Sequence, residues 1–348
     1  MPEIHEHELL PFQYDFDLTD YNTFGFASIA ERFVRLHQPA QVPALCRRCR
    51  KEKWPLLILG GGSNLVLADR IPGVVARMEI PGRQVVGEDG DIVKVKVAAG
   101  ESWADTVEWA LAENLFGMEN LALIPGTVGA APVQNIGAYG MEFQDTVGFV
   151  EVYDQLEERF TCLSKEECAF GYRDSLFKSG EPGRYIITAV EFHLSRKPRL
   201  RLGYASLEKE CRELAGGREI TPHHLYEAVC RLRRARLPET FTYGNAGSFF
   251  KNPVVSVARF KELAAKYPQL VAFPDKDGYK LAAGWLIEQC GWKGRRWKQV
   301  GVYEKQALVL INCGGGHRAQ IEELAAAIQK SVWEKFGVTL EPEPRFYP

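Results

Sequence analysis

Residues 124–140 read IPGTVGAAPVQNIGAYG, a run without one charged side chain and dominated by glycine, alanine and proline. A flexible linker needs polar residues that stay solvated, and this stretch is too small and too apolar to be one. Side chains this short leave the backbone uncovered, so the segment predicts chain that lies close against something flat or bulky. Any fold for this sequence has to supply that second surface.

A second glycine-rich stretch narrows the choice. Trp54-Pro55-Leu56-Leu57-Ile58-Leu59 is a short apolar run that reads as a buried strand, and it feeds directly into Gly60-Gly61-Gly62-Ser63-Asn64. Glycines in such a place can aim several amide protons at one anion, which makes the five residues a phosphate cradle in miniature. The same residues also suit a tight hairpin between two strands. No Lys-Ser/Thr follows them, as a P-loop requires, and Leu65-Val66-Leu67 resumes a strand-like pattern where a G-x-G-x-x-G turn would open a helix.

At 348 residues the chain exceeds the size at which one core keeps growing, so two or three domains are expected. Val93-Lys94-Val95-Lys96-Val97 alternates as a strand with one wet face does, and Ser102 with Asp105 caps a helix whose apolar residues run to about Asn114. Strand-like runs return at 147–153 and 185–194. The second half shifts toward helices: Thr221-Pro222 starts one that Pro238 ends, and another runs from about Arg318 to a stop at Gly337. Arg231, Arg233, Arg234 and Arg236 crowd the end of the earlier helix, where they complement its carbonyl dipole or bind an anion.

The formal charge of −2, from 43 basic and 45 acidic residues, gives no bias toward nucleic acid. The acidic start MPEIHEHELLPFQYDFD lacks both regions of a secretory signal, and no eighteen-residue apolar run occurs. A cytoplasmic protein without a membrane span, nucleic-acid ligand or obligate protein partner is expected. The eight cysteines are scattered, which favours reduced thiols. Cys46-Arg-Arg-Cys49 has no partner pair for a metal, and Val42, Leu45, Cys46 and Cys49 share one helical face, so the two thiols are expected to be buried and no metal is called for.

Three stretches carry candidate chemistry. GNAGSFFKNP, residues 244–253, sets Ser248 into a glycine-rich bend with no histidine in the forty residues downstream, and Phe250 stands where a nucleophile elbow has its second glycine. Ser248 therefore packs a turn or gives a proton away. Arg173, within Gly171-Tyr172-Arg173-Asp174-Ser175, offers a fork suited to a carboxylate or developing enolate, or else a surface pair with Asp174. Glu341 and Glu343 each precede a proline and so read as extended chain facing one side of a strand end; spacing cannot choose between them, and a salt bridge to Arg345 is the plainer alternative.

In order, Asn22-Thr-Phe-Gly25, Leu59–Asn64, Ile124–Gly129, Gln134–Gly140, Gly171–Ser175, Gly244–Pro253, Lys280-Leu-Ala-Ala-Gly-Trp-Leu-Ile287 and Leu340-Glu-Pro-Glu343 resemble the UDP-N-acetylenolpyruvoylglucosamine reductase family, over roughly residues 22–346. The resemblance implies an α+β chain with a flavin-binding region of the vanillyl-alcohol-oxidase type in two subdomains, residues 1–81 and 82–237, and a substrate domain over 238–337, with 338–348 available to return to the first. It implies non-covalent FAD, NADPH as reductant, and reduction of UDP-N-acetylglucosamine enolpyruvate to UDP-N-acetylmuramate for peptidoglycan precursors. FAD contacts carry over to Gly60, Gly61, Gly62, Ser63, Asn64, Ile124, Pro125, Gly126, Gly129, Ala130, Asn135, Gly137 and Tyr139.

Ser248, on the same likeness, protonates the carbon next to the one that receives hydride from reduced flavin, and so base-like a carbon needs no activated donor. Arg173 and Glu343 stabilise charge growing on the substrate carboxylate, with Glu343 protonated or donating through a neighbour. Tyr204 matches a tyrosine that closes over the uridine diphosphate in one branch, and Tyr172, Arg233, Asn252 and Gln306 match substrate positions. Arg236 stands where close relatives have a lysine, and a guanidinium fork does not sit where an ammonium does. A flavin oxidase of the same fold, or an inactive nucleotide-binding module, would need neither Ser248 nor the Leu-Glu-Pro-Glu end.

Overall fold

The computed structural model describes residues 10–348, so residues 1–9, part of the expected 1–81 subdomain, lie outside the described residues. The chain folds as two compact units, each assembled from separated segments. The first takes residues 10–16, Ala30–Gly61 and Pro72–Arg233; the second takes Asp17–Ile29, Gly62–Ile71 and Arg234–Pro348. One division falls inside the glycine triad, between Gly61 and Gly62.

In the first unit the apolar run at 54–59 becomes the strand Leu56–Leu59, paired in parallel with Arg70–Met78. These two form a four-stranded sheet in the order Gln13–Asp17, Ile29–Leu36, Arg70–Met78, Leu56–Leu59. A second, five-stranded sheet runs Arg159–Ser164, Val147–Asp154, Tyr185–Ser195, Ile92–Ala98, Arg83–Asp89. Its pairings are antiparallel throughout, and Val93, Val95 and Val97 turn inward while Lys94 and Lys96 keep to the wetter face, as their alternation requires. The helix Gln41–Glu52 buries Val42, Leu45, Cys46 and Cys49, the face read from their spacing. The helix Trp103–Ala112 is capped by the Ser102 hydroxyl, which accepts from the Asp105 N–H at 3.3 Å. Trp103 is buried and gives its indole N–H to the Leu121 carbonyl at 2.9 Å, so the large side chain anchors the start of the small-residue segment without an unpaired polar group.

The second unit has its own core, with Phe24, Phe249, Phe250, Leu286 and Ile328 among its fully buried side chains. Its main sheet orders Gly244–Ser248, Val309–Asn312, Val300–Val302 and Arg296–Trp297, all antiparallel. The helix Arg318–Phe336 turns Ile321, Leu324, Ile328 and Val332 inward and stops at Gly337, whose φ of 59° is the left-handed cap that glycine adopts without strain. Near the C-terminus, Arg345–Tyr347 pairs in parallel with Leu65–Leu67. Asn22 fixes the segment that joins this unit early in the chain: its amide donates to the Leu18 and Phe26 carbonyls at 3.0 and 2.9 Å, and its oxygen accepts from the Phe26 N–H. All eight cysteines are free thiols. No helix of the described residues is long and apolar enough to cross a membrane.

Candidate active site

The surface that the small-residue segment needs is, in part, Gly60 and Gly61. A Cβ on Gly60 would sit 2.8 Å from Thr127 Oγ1, and one on Gly61 would sit 2.5 Å from Gly126 Cα. Gly61 is thus required where backbone meets backbone, and Gly60 where backbone meets the Thr127 and Ala130 side chains. Ile124 and Pro125 lead from Leu123, at φ 55°, into Gly126, at φ 120°. Gly129 lies against Ala99, where a Cβ would close to 2.6 Å, and donates its N–H to the Ala99 carbonyl at 2.9 Å; Ala130 donates to Thr127 at 3.0 Å. Those two amides shape the loop and are already engaged.

Thr127 was not singled out from sequence, yet its buried Oγ1 has no protein partner. A buried hydroxyl left so calls for an acceptor from outside the chain. A cradle that excludes side chains and holds one unsatisfied donor fits the pyrophosphate of FAD, with Gly60, Gly61 and the 124–130 loop as its holders in this unit.

Beyond the cradle, residues 133–144 and 171–178 are tied together. Ser175 Oγ donates to the Val133 carbonyl at 2.6 Å, Asn135 Nδ2 to the Gly171 carbonyl at 2.9 Å, and Arg173 Nη2 to the Gly137 carbonyl at 2.6 Å. Gly137 permits that approach, since a Cβ there would meet Arg173 Nη1 at 2.9 Å. Arg173 itself has φ 55°, its guanidinium carbon lies 5.3 Å from the Tyr172 ring centroid, and Lys178 Nζ donates to its carbonyl at 3.0 Å. Asn135, expected among the FAD contacts, commits both amide hydrogens to the protein and accepts a backbone N–H with its oxygen, so its side chain holds the loop together.

Tyr139 also has a left-handed backbone, φ 49°, and its ring meets that of Tyr204 edge-on with centroids 5.7 Å apart. Buried Asn120 holds both segments, donating to the Tyr139 and Arg201 carbonyls at 3.0 and 2.9 Å. Arg233 Nε is sealed without a hydrogen-bond partner, and burial, with the charge of Arg173 adding a little, lowers its guanidinium from the usual range. The charges of Tyr139 and Arg173 both act on the Arg233 guanidinium, which places two arginine heads close to one tyrosine in this unit.

The second unit carries the other candidates. Gly62, at φ 66°, lies so close to Tyr21 that a Cβ would approach its carbonyl to 2.0 Å. Asn64 follows Ser63 and accepts from the Arg345 N–H through its carbonyl at 3.0 Å, while its Nδ2 reaches the Glu343 carbonyl at 3.4 Å.

Ser248 ends the strand Gly244–Ser248 and does not sit in a free bend: it pairs with Val309 after an irregularity at Asn245, with Gly247 at φ 68°. The hydroxyl is exposed, while Phe249 and Phe250 behind it are buried. The glutamates precede the final strand instead of ending one. Phe249 accepts from the Glu343 N–H at 2.8 Å, and Glu341 forms an ion pair with Lys251. The two acids thus have different surroundings: Glu341 pairs with Lys251, and the backbone of Glu343 runs beside the residue that follows Ser248.

Asn252 and Gln306 converge on one helix start. Asn252 Oδ1 accepts from the Ala283 N–H at 2.9 Å, and a Cβ on Gly284 would meet Gln306 Oε1 at 3.0 Å. The helix Ala283–Gln289 therefore holds the Asn252 amide at its first turn and leaves room for Gln306 beside Gly284, a role the Lys280–Ile287 motif did not disclose. Arg236 is exposed.

Comparison with known proteins adds a second line. Residues 30–162 match the family described as "FAD binding domain", and residues 239–347 match the family described as "UDP-N-acetylenolpyruvoylglucosamine reductase, C-terminal domain". A UDP-N-acetylenolpyruvoylglucosamine reductase of Chromobacterium violaceum is 48% identical over 96% of this chain and 98% of its own length. One from Burkholderia vietnamiensis is 49% identical, covering 97% of this chain and 96% of the relative. The crystal structure of the Thermus caldophilus reductase superimposes with a TM-score of 0.68 at 24% identity, over 97% of this chain and 99% of that one, which shows the fold.

Proposed function

The chain belongs to the UDP-N-acetylenolpyruvoylglucosamine reductase family and is an FAD-dependent oxidoreductase, and from that premise we propose that it reduces UDP-N-acetylglucosamine enolpyruvate to UDP-N-acetylmuramate with NADPH as electron source. The observation that carries the proposal is the second unit's pairing of an exposed Ser248 with the chain that bears Glu343, through Phe249. The expected division into FAD subdomains 1–81 and 82–237 and a substrate domain 238–337 remains part of the same proposal.

FAD, when bound, supplies the two-electron chemistry that saturates the vinyl group. The chain's residues supply the rest. Ser248 Oγ, exposed at a strand end fixed by buried phenylalanines, gives a proton to the carbon next to the substrate carboxylate. The forty residues after it hold no histidine of the kind nucleophilic attack would need, and a carbanion-like acceptor does not require one. Arg173, clamped to the Gly137 carbonyl and stacked near Tyr172, holds the carboxylate as its charge grows, together with Glu343. Arg233, Tyr204, Asn252 and Gln306, with Arg236 in place of a lysine, bind the sugar nucleotide. FAD is held without a covalent bond in this reading, and four thiols of the first unit are poor nucleophiles, since burial pushes Cys46 and Cys168 up to about 12 and Cys49 and Cys211 up to about 11.

The test is direct. Under anaerobic conditions NADPH should bleach the flavin of the purified protein, and only the enolpyruvyl sugar nucleotide should restore its colour. Rapid recovery with oxygen alone would mark an oxidase, and a protein purified without flavin would remove the assignment.

A further inference from the structure

We propose that Asn135 is the positioning residue that aims Arg173 at the substrate carboxylate. The inference rests on the reading of Arg173 as the group that stabilises that carboxylate. Asn135 is fully buried and adopts φ 45°, a conformation that asparagine tolerates better than most residues. Its side chain joins three pieces of chain at once. Nδ2 donates to Glu142 Oε2 at 2.8 Å and to the Gly171 carbonyl at 2.9 Å, and Oδ1 accepts from the Gln144 N–H at 3.0 Å.

Gly171 begins the turn that presents Arg173. Its N–H donates to the Asp174 carbonyl at 3.0 Å and the Asp174 N–H returns to Gly171 at 3.3 Å, so residues 171–174 form a closed loop with Arg173 at its left-handed corner. The far end of the arginine is fixed to Gly137, two residues after Asn135. One buried amide therefore governs both ends: it holds the turn carrying the Arg173 backbone and begins the strip whose carbonyl seats the guanidinium. Ser175 and Lys178 brace the same turn, but each reaches only one segment.

Glu142 is the anchor on the other side. Its Oε2 also accepts from Gln144 Nε2 at 2.7 Å, so the Asn135 amide plane is set by a carboxylate, a carbonyl and a backbone N–H. Loss of the side chain unties Gly171 from 135–144 and leaves the Arg173–Gly137 bond as the turn's tie to that strip, while Gly60, Gly61 and their contacts at 126–130 stay untouched. The consequence belongs to substrate reduction and not to flavin binding.

Asn135→Gly removes the side chain and keeps a residue at ease with φ 45°. We would prepare the Asn135→Gly, Arg173→Ala and double variants as flavin-bound enzymes and follow the two half-reactions separately by anaerobic stopped flow. Asn135→Gly should leave flavin reduction by NADPH within about twofold and slow reoxidation by the saturating enolpyruvyl sugar nucleotide by about 100-fold, the loss that an ångström of misplacement brings. The double variant should be no slower than Arg173→Ala alone, because the asparagine acts only through the arginine.

Losses that multiply in the double variant, or reoxidation within threefold of the parent in Asn135→Gly, would overturn the inference while leaving Arg173 in its role. Normal reoxidation in Arg173→Ala would defeat the reading of Arg173, and this inference with it. If Asn135→Gly does not fold, Glu142→Ala decides, since Glu142 is only partly buried. It should slow reoxidation three- to tenfold and have no effect once Arg173 is alanine; equal damage to both half-reactions would reject the positioning role.

Discussion

Gly61→Ala tests the flavin cradle at its tightest point. The new Cβ would stand 2.5 Å from Gly126 Cα and 3.2 Å from Gly126 N, and ordinary contact begins near 3.4 Å, so the two loops must part by about 3.4 − 2.5 = 0.9 Å. No flexible side chain can yield, because the opposing atoms are backbone. Overpacking of this kind costs about 1–3 kcal/mol. Most of that cost should appear in FAD affinity, because the bound cofactor requires the closed cradle; it corresponds to about 5- to 150-fold in Kd. The assay is the flavin content of freshly purified protein by absorbance, followed by titration of the apoprotein with FAD. Gly87→Ala is the control, since a Cβ there meets nothing nearer than Lys94 Cδ at 3.9 Å. Flavin content and Kd equal to the parent's in Gly61→Ala would refute the cradle, whatever the melting temperature did.

Ser248→Ala should leave reduction of the flavin by NADPH nearly intact and slow the second half-reaction by several orders of magnitude, at or beyond the upper end of the roughly 100- to 10,000-fold that a positioned proton donor contributes; equal losses in both halves would reject the proton-donor role. Glu343→Gln should reduce turnover at least 100-fold, whereas Glu341→Gln, which breaks only the Lys251 pair, should change it less than threefold, and steady-state rates with both variants separate the two acids. Arg184 donates to both oxygens of buried Asp154 and holds its carboxyl down to about 2, below the usual value near 3.9. A depressed carboxylate stabilises the fold above its unfolded value and loses that contribution as pH falls through its folded one. The melting-temperature gap between parent and Asp154→Asn should thus be widest near neutrality and close between about pH 4 and 2; a gap constant over that range would contradict the pairing.

The parts of the fold that sequence discloses are those whose causes are local. Ser102 ahead of Trp103, and Gly337 after the last apolar position of its helix, mark helix ends through hydrogen bonds and backbone freedom that neighbouring residues determine. Cys46 and Cys49 fall on a buried face because helical spacing alone puts them there. The assembly of the second unit is different in kind. Asp17–Ile29 and Gly62–Ile71 join Arg234–Pro348 through contacts such as Thr23 Oγ1 to the Asn245 carbonyl at 2.6 Å, and no short-range pattern announces a partner more than 200 positions away. Ser248 shows the same limit: glycines on its N-terminal side read as a bend, and only pairing with Val309 makes the residue a strand end. Glu341 and Glu343 are equivalent by spacing, and Lys251 distinguishes them in three dimensions.

Backbone strain is the property least visible in a sequence, and here it coincides with the chemistry. Ten non-glycine residues of the described chain have positive φ, and four of them, Leu123, Asn135, Tyr139 and Arg173, lie in the first unit's loops that carry its candidate residues. Each left-handed residue other than glycine costs about 1–2 kcal/mol. Glycine at 173 would relax the turn but remove the guanidinium, so strain and function cannot be separated at that position. The surroundings hold it there: Gly137 accepts from the side chain, Lys178 secures the carbonyl, and Asn135 fixes the start of the turn. One hydrogen bond on the guanidinium and two on the turn that carries it leave the side chain little to reorganise, and on the proposed role of Arg173 that preorganisation is the physical reason for tolerating the strain.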